Sequence, residues 1–220
     1  MSGTSTPAAG PRRVRWTRLR IVVAALAVAA LAVVVLDTKV VRAGSDTAAA
    51  AADAFDPKSF AQEQFPKVKS LIEQKAVDAA TLATALEEGK DAATAQYAET
   101  STGQPVFSVR FTGEVGEIED GMAPVDVADL PEDLTVRVRT GPVINGTDVR
   151  DATGTVTFSQ FTNQIEYQNA GAALNDVVRS QVLAKASATE LTGEQVTVVG
   201  AFTLINPDGW LVTPVSLAVS

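Results

Sequence analysis

The sequence predicts an α+β protein: a small antiparallel β-barrel with one inserted helix and an N-terminal helical segment, preceded by one transmembrane helix. Three observations support this. An unbroken apolar run fills residues 21–36, short strands of alternating character follow residue 105, and a helical stretch precedes the last two strands. Three strands, a helix and two strands is the order of an OB-type barrel. A two-layer α+β sandwich is the alternative.

The first 37 residues have the pattern of a membrane anchor. Five arginines and no acidic residue precede the apolar run. Its sixteen residues span roughly 24 Å as a helix, and flanking residues extend it towards the roughly 30 Å hydrocarbon core. Because basic flanks stay in the cytoplasm, we predict a cytoplasmic tail at 1–20 and a signal-anchor at 21–37. A cleaved signal peptide is the alternative, although Val41-Arg42-Ala43 is a mediocre cleavage site.

Charge and composition exclude several classes of partner and chemistry. From Thr38 onward there are 13 basic and 25 acidic residues, a net charge of −12. Nucleic acid is therefore not an expected partner, because phosphate contacts need clustered cations. The sequence contains no cysteine and no histidine, which removes thiolate metal sites, lipid attachment through cysteine and the commonest general base. We expect no enzymatic activity, metal or cofactor.

An Ala-rich tether is predicted at 38–54, followed by an extracytoplasmic domain at 55–220. Asp56-Pro57 indicates a helix start, with aspartate at the N-cap and proline in the first turn. Pro66 is expected to break or restart this helix. A second short helix is predicted at 78–88, and Gly89 suits its C-cap. Residues 91–99 add a further turn or two.

The strands are predicted from alternation of apolar and polar residues. We predict strands at 106–112, 134–140, 154–158, 195–204 and 210–219, with a helix at 163–186 before the last two. Residues 113–131 are expected to continue the first strand and then form a loop. The residues expected to fill one barrel-like core are Phe107, Val109, Phe111, Val136, Val138, Val198, Phe202, Val215 and Leu217.

Two polar segments are candidates for a ligand site. The first lies in and after the turn-forming run 141–147, and the second opens the helix predicted at 163–186. Guanidinium, amide, carboxylate and aromatic groups together are typical of carbohydrate sites. A turn, a surface ion pair and a helix cap explain the same residues without a ligand. The candidate ligand-binding residues are Asn145, Arg150, Asn163, Gln164, Glu166 and Tyr167.

The predicted third strand bears on whether these segments share a ligand. A straight five-residue strand spans roughly 17 Å. The two segments would lie at its opposite ends, so one small ligand contacts both only if residues 151–158 bend or the start of the following helix folds back. We expect Arg150, Asn163 and Glu166 to contribute to any shared surface.

Several motifs resemble one known family. The segments QKAVDAATLATAL, VRTGPVINGTDVRDA, FTNQIEYQNAGAALND, VTVVGAFTL and WLVTPVSLAV are similar to those of bacterial predicted periplasmic lipoproteins, a domain of unknown function. The resemblance covers residues 55 to the C-terminus and carries over no known functional residue. Members are often encoded beside ribose-type sugar ABC transporters. This sequence departs from them in lacking the lipid-bearing cysteine, and a transmembrane anchor would supply the same tethering.

The resemblance implies an accessory role in sugar uptake. We therefore predict a non-catalytic extracytoplasmic accessory or binding module, held in the plasma (inner) membrane by its single N-terminal helix. Its expected partners are the membrane and components of a sugar ABC transporter. The alternative is a structural or interaction protein of the cell envelope without a small-molecule ligand.

Overall fold

The computed structural model describes residues 55–185 and 191–219. The predicted cytoplasmic tail, signal-anchor and tether lie outside these residues. Within the described ranges, none of the helices has both the length and the apolar character that a membrane span requires.

Three helices open the described chain. Helix α1 (Pro57–Lys75) begins at Asp56, whose carboxylate accepts a hydrogen bond from the Lys58 amide at 3.0 Å. Helix α2 (Ala79–Glu88) is capped by Asp78 and ends at Gly89, and α3 (Lys90–Tyr97) follows. The two-residue strands β1 (Val77–Asp78) and β2 (Ala98–Glu99) pair with the first long strand.

The expectation that Pro66 breaks the first helix is wrong, because α1 runs through it. A proline inside a helix costs about 3 kcal/mol. Four side chains of α1 are buried on both sides of the proline, and each fully buried apolar side chain contributes about 1.5–3 kcal/mol. Packing therefore outweighs the local penalty. The buried residues are Ala61, Phe65, Val68 and Ile72.

Five long strands close into a barrel. Strands β3 and β4, β4 and β5, β6 and β7, and β3 and β6 pair antiparallel, while β5 and β7 pair parallel. The α+β class and the OB-like barrel are thus confirmed. The strands are β3 (Val106–Val115), β4 (Met122–Val127), β5 (Thr135–Arg139), β6 (Gln195–Thr203) and β7 (Gly209–Val219).

The strand predicted at 154–158 is wrong. Residues 154–157 form no strand, and Phe158–Gln160 is a short 3-10 helix. Gly154 adopts φ +70°, a left-handed conformation that turns the chain, so no straight segment is available to pair. The fifth barrel strand is instead β4, which lies within residues 113–131, where the sequence predicts a continued strand and a loop.

The signal for β4 is weak because few of its residues are buried and one is a proline. Ala123 and Val125 are its buried side chains. The carbonyl of Pro124 accepts a hydrogen bond from the Gly116 amide at 2.9 Å. In an extended strand the N–H and C=O of one residue point to the same side. An N–H at position 124 would therefore face Gly116 and not β5, so its absence in proline removes no hydrogen bond to β5. Proline is therefore tolerated in this barrel strand.

Helix α4 (Asp148–Asp151) is a single turn, and α5 (Gln164–Val177) continues into a π-helical turn (Val178–Val182) and a 3-10 turn (Leu183–Lys185). Two apolar clusters hold the fold together. One fills the barrel, where Phe202 stacks between Phe107 and Trp210 at centroid distances of 5.6 and 4.8 Å. The other lies between the barrel wall and the helices α1 and α5.

The predicted core residues are buried, except that Leu217 is only partly so. The expectation of one shared core is wrong for Val215, which belongs to the cluster between barrel and helices. Val199 pairs with Ser216 and Gly200 with Pro214, so Val215 is an extra residue in β7. Such a β-bulge shifts the alternation of side chains, which turns Val215 towards the helices.

Candidate ligand-binding cleft

The candidate site is built around α4, a helical turn whose four residues are all buried. Three of those four are charged. Buried charges are costly unless they are paired and hydrogen-bonded, so the partners of each one define what this turn does.

Asp148 attaches α4 to the barrel. Its Oδ1 accepts hydrogen bonds from the amide and the hydroxyl of Thr203 at 3.1 and 2.6 Å, and its Oδ2 accepts one from the Thr213 hydroxyl at 3.0 Å. Burial raises the pKa of Asp148, against these hydrogen bonds and the positive charge of Arg139. Asp148 therefore joins α4 to the end of β6 and to the middle of β7.

Arg150 and Asp151 form a buried ion pair. Nε and Nη2 of Arg150 donate to the two carboxylate oxygens of Asp151 at 2.6 and 3.0 Å. The two side chains are only 7% and 6% exposed. Side-on pairing of this kind holds a guanidinium in a fixed plane.

Tyr167 of α5 completes this group. The Arg150 Cζ lies 3.7 Å from the centroid of the Tyr167 ring, a cation–π contact. Arg150 Nη1 donates to the Tyr167 carbonyl at 3.2 Å, and the Tyr167 hydroxyl donates to Asp151 Oδ1 at 3.4 Å. Burial raises the pKa of Tyr167, and the neighbouring Asp151 carboxylate adds to the rise. The phenol is thus a neutral hydrogen-bonding group near pH 7.

An open cleft of about 470 Å³ lies against this group. Its walls come from the turn at 101–104, α4, residues 156–158 and the start of α5. Phe158 is 49% exposed there, and its ring meets that of Tyr167 edge-on at 5.8 Å. The hydroxyl groups lining the cleft belong to Ser101, Thr102, Thr147, Thr157, Thr203 and Tyr167.

Glu99 and Lys75 hold the turn at 101–104 in place. Glu99 Oε1 accepts a hydrogen bond from the Ser101 amide at 3.2 Å, and Lys75 Nζ contacts Glu99 Oε2 at 3.4 Å and the Thr153 carbonyl at 3.3 Å. Burial alone would raise the pKa of Glu99, but the Ser101 hydrogen bonds and the Lys75 charge together lower it. This wall of the cleft is thereby tied to the segment that follows α4.

A larger cleft of about 610 Å³ lies elsewhere, beside β4 and the loop that leads to β5. Its charged groups are carboxylates from Glu114, Asp126, Asp129 and Glu132. In the described ranges, no three acidic side chains are arranged to hold a metal ion. This larger space has no aromatic ring and no cation in its walls. The smaller cleft therefore has the better chemistry for recognition, and volume alone does not decide.

The comparison with protein families gives a match over residues 23–218 to the model described as "Predicted periplasmic lipoprotein (DUF2291)". The chain belongs to the DUF2291 family. Its 220 residues contain no cysteine, the residue on which bacterial lipoproteins carry their lipid. The family description places its members outside the cytoplasm and in association with a membrane.

Solved structures give an independent likeness for the fold. A crystal structure of an OB-fold protein from Thermotoga maritima is similar to this DUF2291 chain with a TM-score of 0.63 and 22% sequence identity. The likeness covers 76% of this chain and 100% of that one. At this identity the likeness establishes the fold alone. No curated protein matches the sequence.

The fold brings together three of the six candidate residues of this DUF2291 chain. Arg150, Gln164 and Tyr167 line the cleft. The two segments meet because residues 151–158 turn instead of forming a straight strand, which was the condition set by the sequence. Arg150 contacts Tyr167 directly, through the hydrogen bond from Nη1 to the Tyr167 carbonyl and through the cation–π contact with its ring.

The other three candidates have structural partners or lie apart. Asn163 Oδ1 accepts from the Glu166 amide at 3.0 Å, and Glu166 Oε2 accepts from the Thr162 amide at 2.9 Å. These two side chains cap α5, as the alternative interpretation had it. Asn145 is exposed in its turn and is not part of the cleft wall.

Sequence reasoning missed several residues of the cleft. The sequence predicts Phe158 within a strand. It also allows Arg150 and Asp151 to be a surface ion pair, whereas the side chains of this pair are buried. The turn at 101–104 is more than forty residues away from α4 along the chain. No local pattern indicates such proximity. The one available signal was the unusual density of turn-forming residues before Arg150.

Proposed function

We propose that this protein is a membrane-tethered, non-catalytic extracytoplasmic module that binds a small sugar in the cleft beside Arg150 and assists a sugar ABC uptake system. The observation that carries the proposal is the combination of a half-exposed aromatic ring with a fixed guanidinium–carboxylate pair. Sugar sites use aromatic rings for the apolar faces of the ligand and planar polar groups for its hydroxyls.

The aromatic side of the cleft supports a ring-shaped ligand. Phe158 is half exposed, and its edge-on contact with Tyr167 holds the ring at the mouth of the cleft. The exposed half of Phe158 is apolar surface that lies in the cleft wall and is open to a ligand. A sugar ring laid on it would cover that apolar surface.

The polar side supports recognition of hydroxyl groups. Of the five N–H bonds of Arg150, two are donated to Asp151 and one to the Tyr167 carbonyl. One further N–H remains on Nη1 and one on Nη2 in the described part of the chain. The amide of Gln164 and the surrounding hydroxyl groups supply both donors and acceptors.

A non-catalytic role agrees with the chemistry of these groups. Both oxygens of Asp151 accept hydrogen bonds from Arg150, and the Tyr167 phenol stays protonated near pH 7 because its pKa is raised. The sequence contains no histidine, the side chain that most often transfers protons near neutral pH.

Location and transport rest on the sequence before residue 55 and on the family. The apolar run at 21–36 would anchor the chain, and the tether at 38–54 would let the domain reach a neighbouring transporter. A reporter that is active only outside the cytoplasm, fused after Ser220, should be active. The intact mass should retain residues 21–36. A chain that begins after Ala43, or a reporter active only in the cytoplasm, would contradict the anchor.

Sugar binding is tested by calorimetry on the full chain in detergent, with neutral monosaccharides as probes. Phe158→Ala should weaken binding about tenfold, because about 1.4 kcal/mol of stacking is lost. Ile165→Ala is the matched control: Ile165 is 69% exposed on the neighbouring helix but does not line the cleft. Equal effects of the two variants would refute the site.

The role in uptake is tested in cells. Deleting the gene should slow uptake of the sugar that the protein binds, and the wild-type gene should restore it whereas Phe158→Ala should not. If no sugar binds to the purified protein, the alternative of an envelope interaction protein without a small ligand takes its place.

A further inference from the structure

We infer that the cleft beside Arg150 selects uncharged sugars and rejects sugar acids and sugar phosphates. This inference rests on the proposed function and names its ligand class. It follows from the charges in and around the cleft.

The cleft wall carries one positive and one negative charge, those of Arg150 and Asp151. The two groups are joined by hydrogen bonds of 2.6 and 3.0 Å, so they neutralise each other. The remaining lining groups are hydroxyls, amides and apolar side chains. A site for a carboxylate or phosphate normally supplies an uncompensated cation, and this wall supplies none.

The surroundings of the cleft add negative charge. The Asp148 carboxylate, which is hydrogen-bonded to Thr203 of the cleft wall, is offset by the positive charge of Arg139 and adds no net charge. Glu166 lies two residues after Gln164 and is bound to the Thr162 amide. Glu99 is paired with Lys75 and adds no net charge. An anionic ligand would thus meet like charge that the cleft does not offset.

The start of α5 does not serve as an anion site either. Helix N-termini attract anions through unpaired amides. At this terminus Asn163 accepts from the Glu166 amide, and the Glu166 carboxylate holds the Thr162 amide. The Glu166 carboxylate therefore places a negative charge at this helix terminus, which disfavours a second anion there.

The free N–H groups of Arg150 suit neutral oxygen acceptors. Pairing with Asp151 leaves the guanidinium charge largely compensated, so these two N–H groups bind hydroxyl oxygens as ordinary donors. A ligand carboxylate would compete with Asp151 for the Arg150 guanidinium. Whichever carboxylate is displaced would remain buried without a counter-charge, which is costly.

The test is calorimetry on the full chain in detergent with glucose, glucuronate, glucose 6-phosphate, ribose and ribose 5-phosphate. The wild type should bind one of the neutral sugars at least tenfold more tightly than its acidic or phosphorylated form. Tighter or equal binding of an anionic form would overturn the inference while leaving sugar binding intact. No binding of any of the five would overturn both the inference and the proposed function.

A charge variant checks the cause without disturbing the buried pair. Thr102→Lys adds a cation at an exposed position of the cleft wall. It should lower the ratio of the Kd for the anionic sugar to the Kd for the neutral sugar about tenfold. Thr84→Lys makes the same change at an exposed position of α2 away from the cleft, and should leave the preference unchanged. Equal shifts in both variants, or no shift with Thr102→Lys, would overturn the electrostatic basis.

Discussion

Replacing Arg150 by methionine should destabilise the protein strongly, because it leaves the Asp151 carboxylate buried without its counter-charge. Asp151 would lose donors at 2.6 and 3.0 Å and keep only the Tyr167 hydroxyl at 3.4 Å. Breaking a buried pair in this way costs about 3–5 kcal/mol. In a chain of this length, that corresponds to a fall in melting temperature of roughly 6–20 °C.

The exposed pair between Asp176 of α5 and Arg179 of the following π-helical turn is the matched control. Arg179 and Asp176 lie 2.8 Å apart, but their side chains are 47% and 63% exposed. Arg179→Met should therefore cost at most about 1 kcal/mol. Both variants remove the same side chain, so the difference between their costs reports the surroundings of the two arginines. Arg150 loses buried contacts with Asp151 and Tyr167, whereas Arg179 loses exposed contacts with Asp176 and the Pro142 carbonyl.

Urea unfolding followed by the fluorescence of Trp210 measures both costs. Trp210 is buried in the barrel, and replacing Trp16 by phenylalanine in every variant leaves it as the single reporter. The double variant Arg150→Met with Asp151→Leu should be more stable than Arg150→Met, because the unpaired charge is gone. Equal costs for Arg150→Met and Arg179→Met, or a double variant as unstable as the single one, would refute the reasoning.

Two further predictions concern the barrel and its junction with α4. Phe202→Ala should lower the free energy of unfolding by about 3–5 kcal/mol in the same assay, because the ring is fully buried between Phe107 and Trp210. Phe158→Ala should cost less than about 1 kcal/mol, because Phe158 is half exposed at the rim of the cleft. Similar costs for the two variants would contradict the packing. The raised pKa of Asp148 means that the folded state holds the proton more tightly than the unfolded chain, so its contribution to stability falls as pH rises from about 4 through the folded pKa. Asp148→Asn should remove that fall and flatten the curve of unfolding free energy against pH above about pH 4, and an unchanged slope would contradict it.

Local patterns located most of the elements. The Asp56-Pro57 start of α1, the cap at Asp78 and the alternation in β3, β5 and β6 can each be identified within a few residues, because capping and side-chain alternation are local effects. The same locality explains the misassignment at 154–158. Residues with strand-forming side chains lack a partner there, and pairing is not a property of the segment alone.

The site depended still more on tertiary structure. Gln164 and Tyr167 can be identified because amide and aromatic side chains stand out in a sequence, but their joint use with Arg150 depends on how the chain turns after α4. Asn163 carries the same amide group as Gln164, yet it serves with Glu166 as a helix cap. Residue type cannot separate these roles, since an amide oxygen accepts equally from a backbone N–H and from a ligand.

The α+β class, the helix starts and the apolar side chains of the strands can be predicted without a structure, because they follow from backbone sterics, caps and period-two alternation. Three features depend on the folded chain. The barrel is completed by β4 and not by residues 154–158, and α1 continues through Pro66. Arg150 is buried against Asp151 and Tyr167. The physical reason is that burial and pairing are collective. The free energy of a proline or a charge depends on residues distant in the chain, which become neighbours only in the folded state.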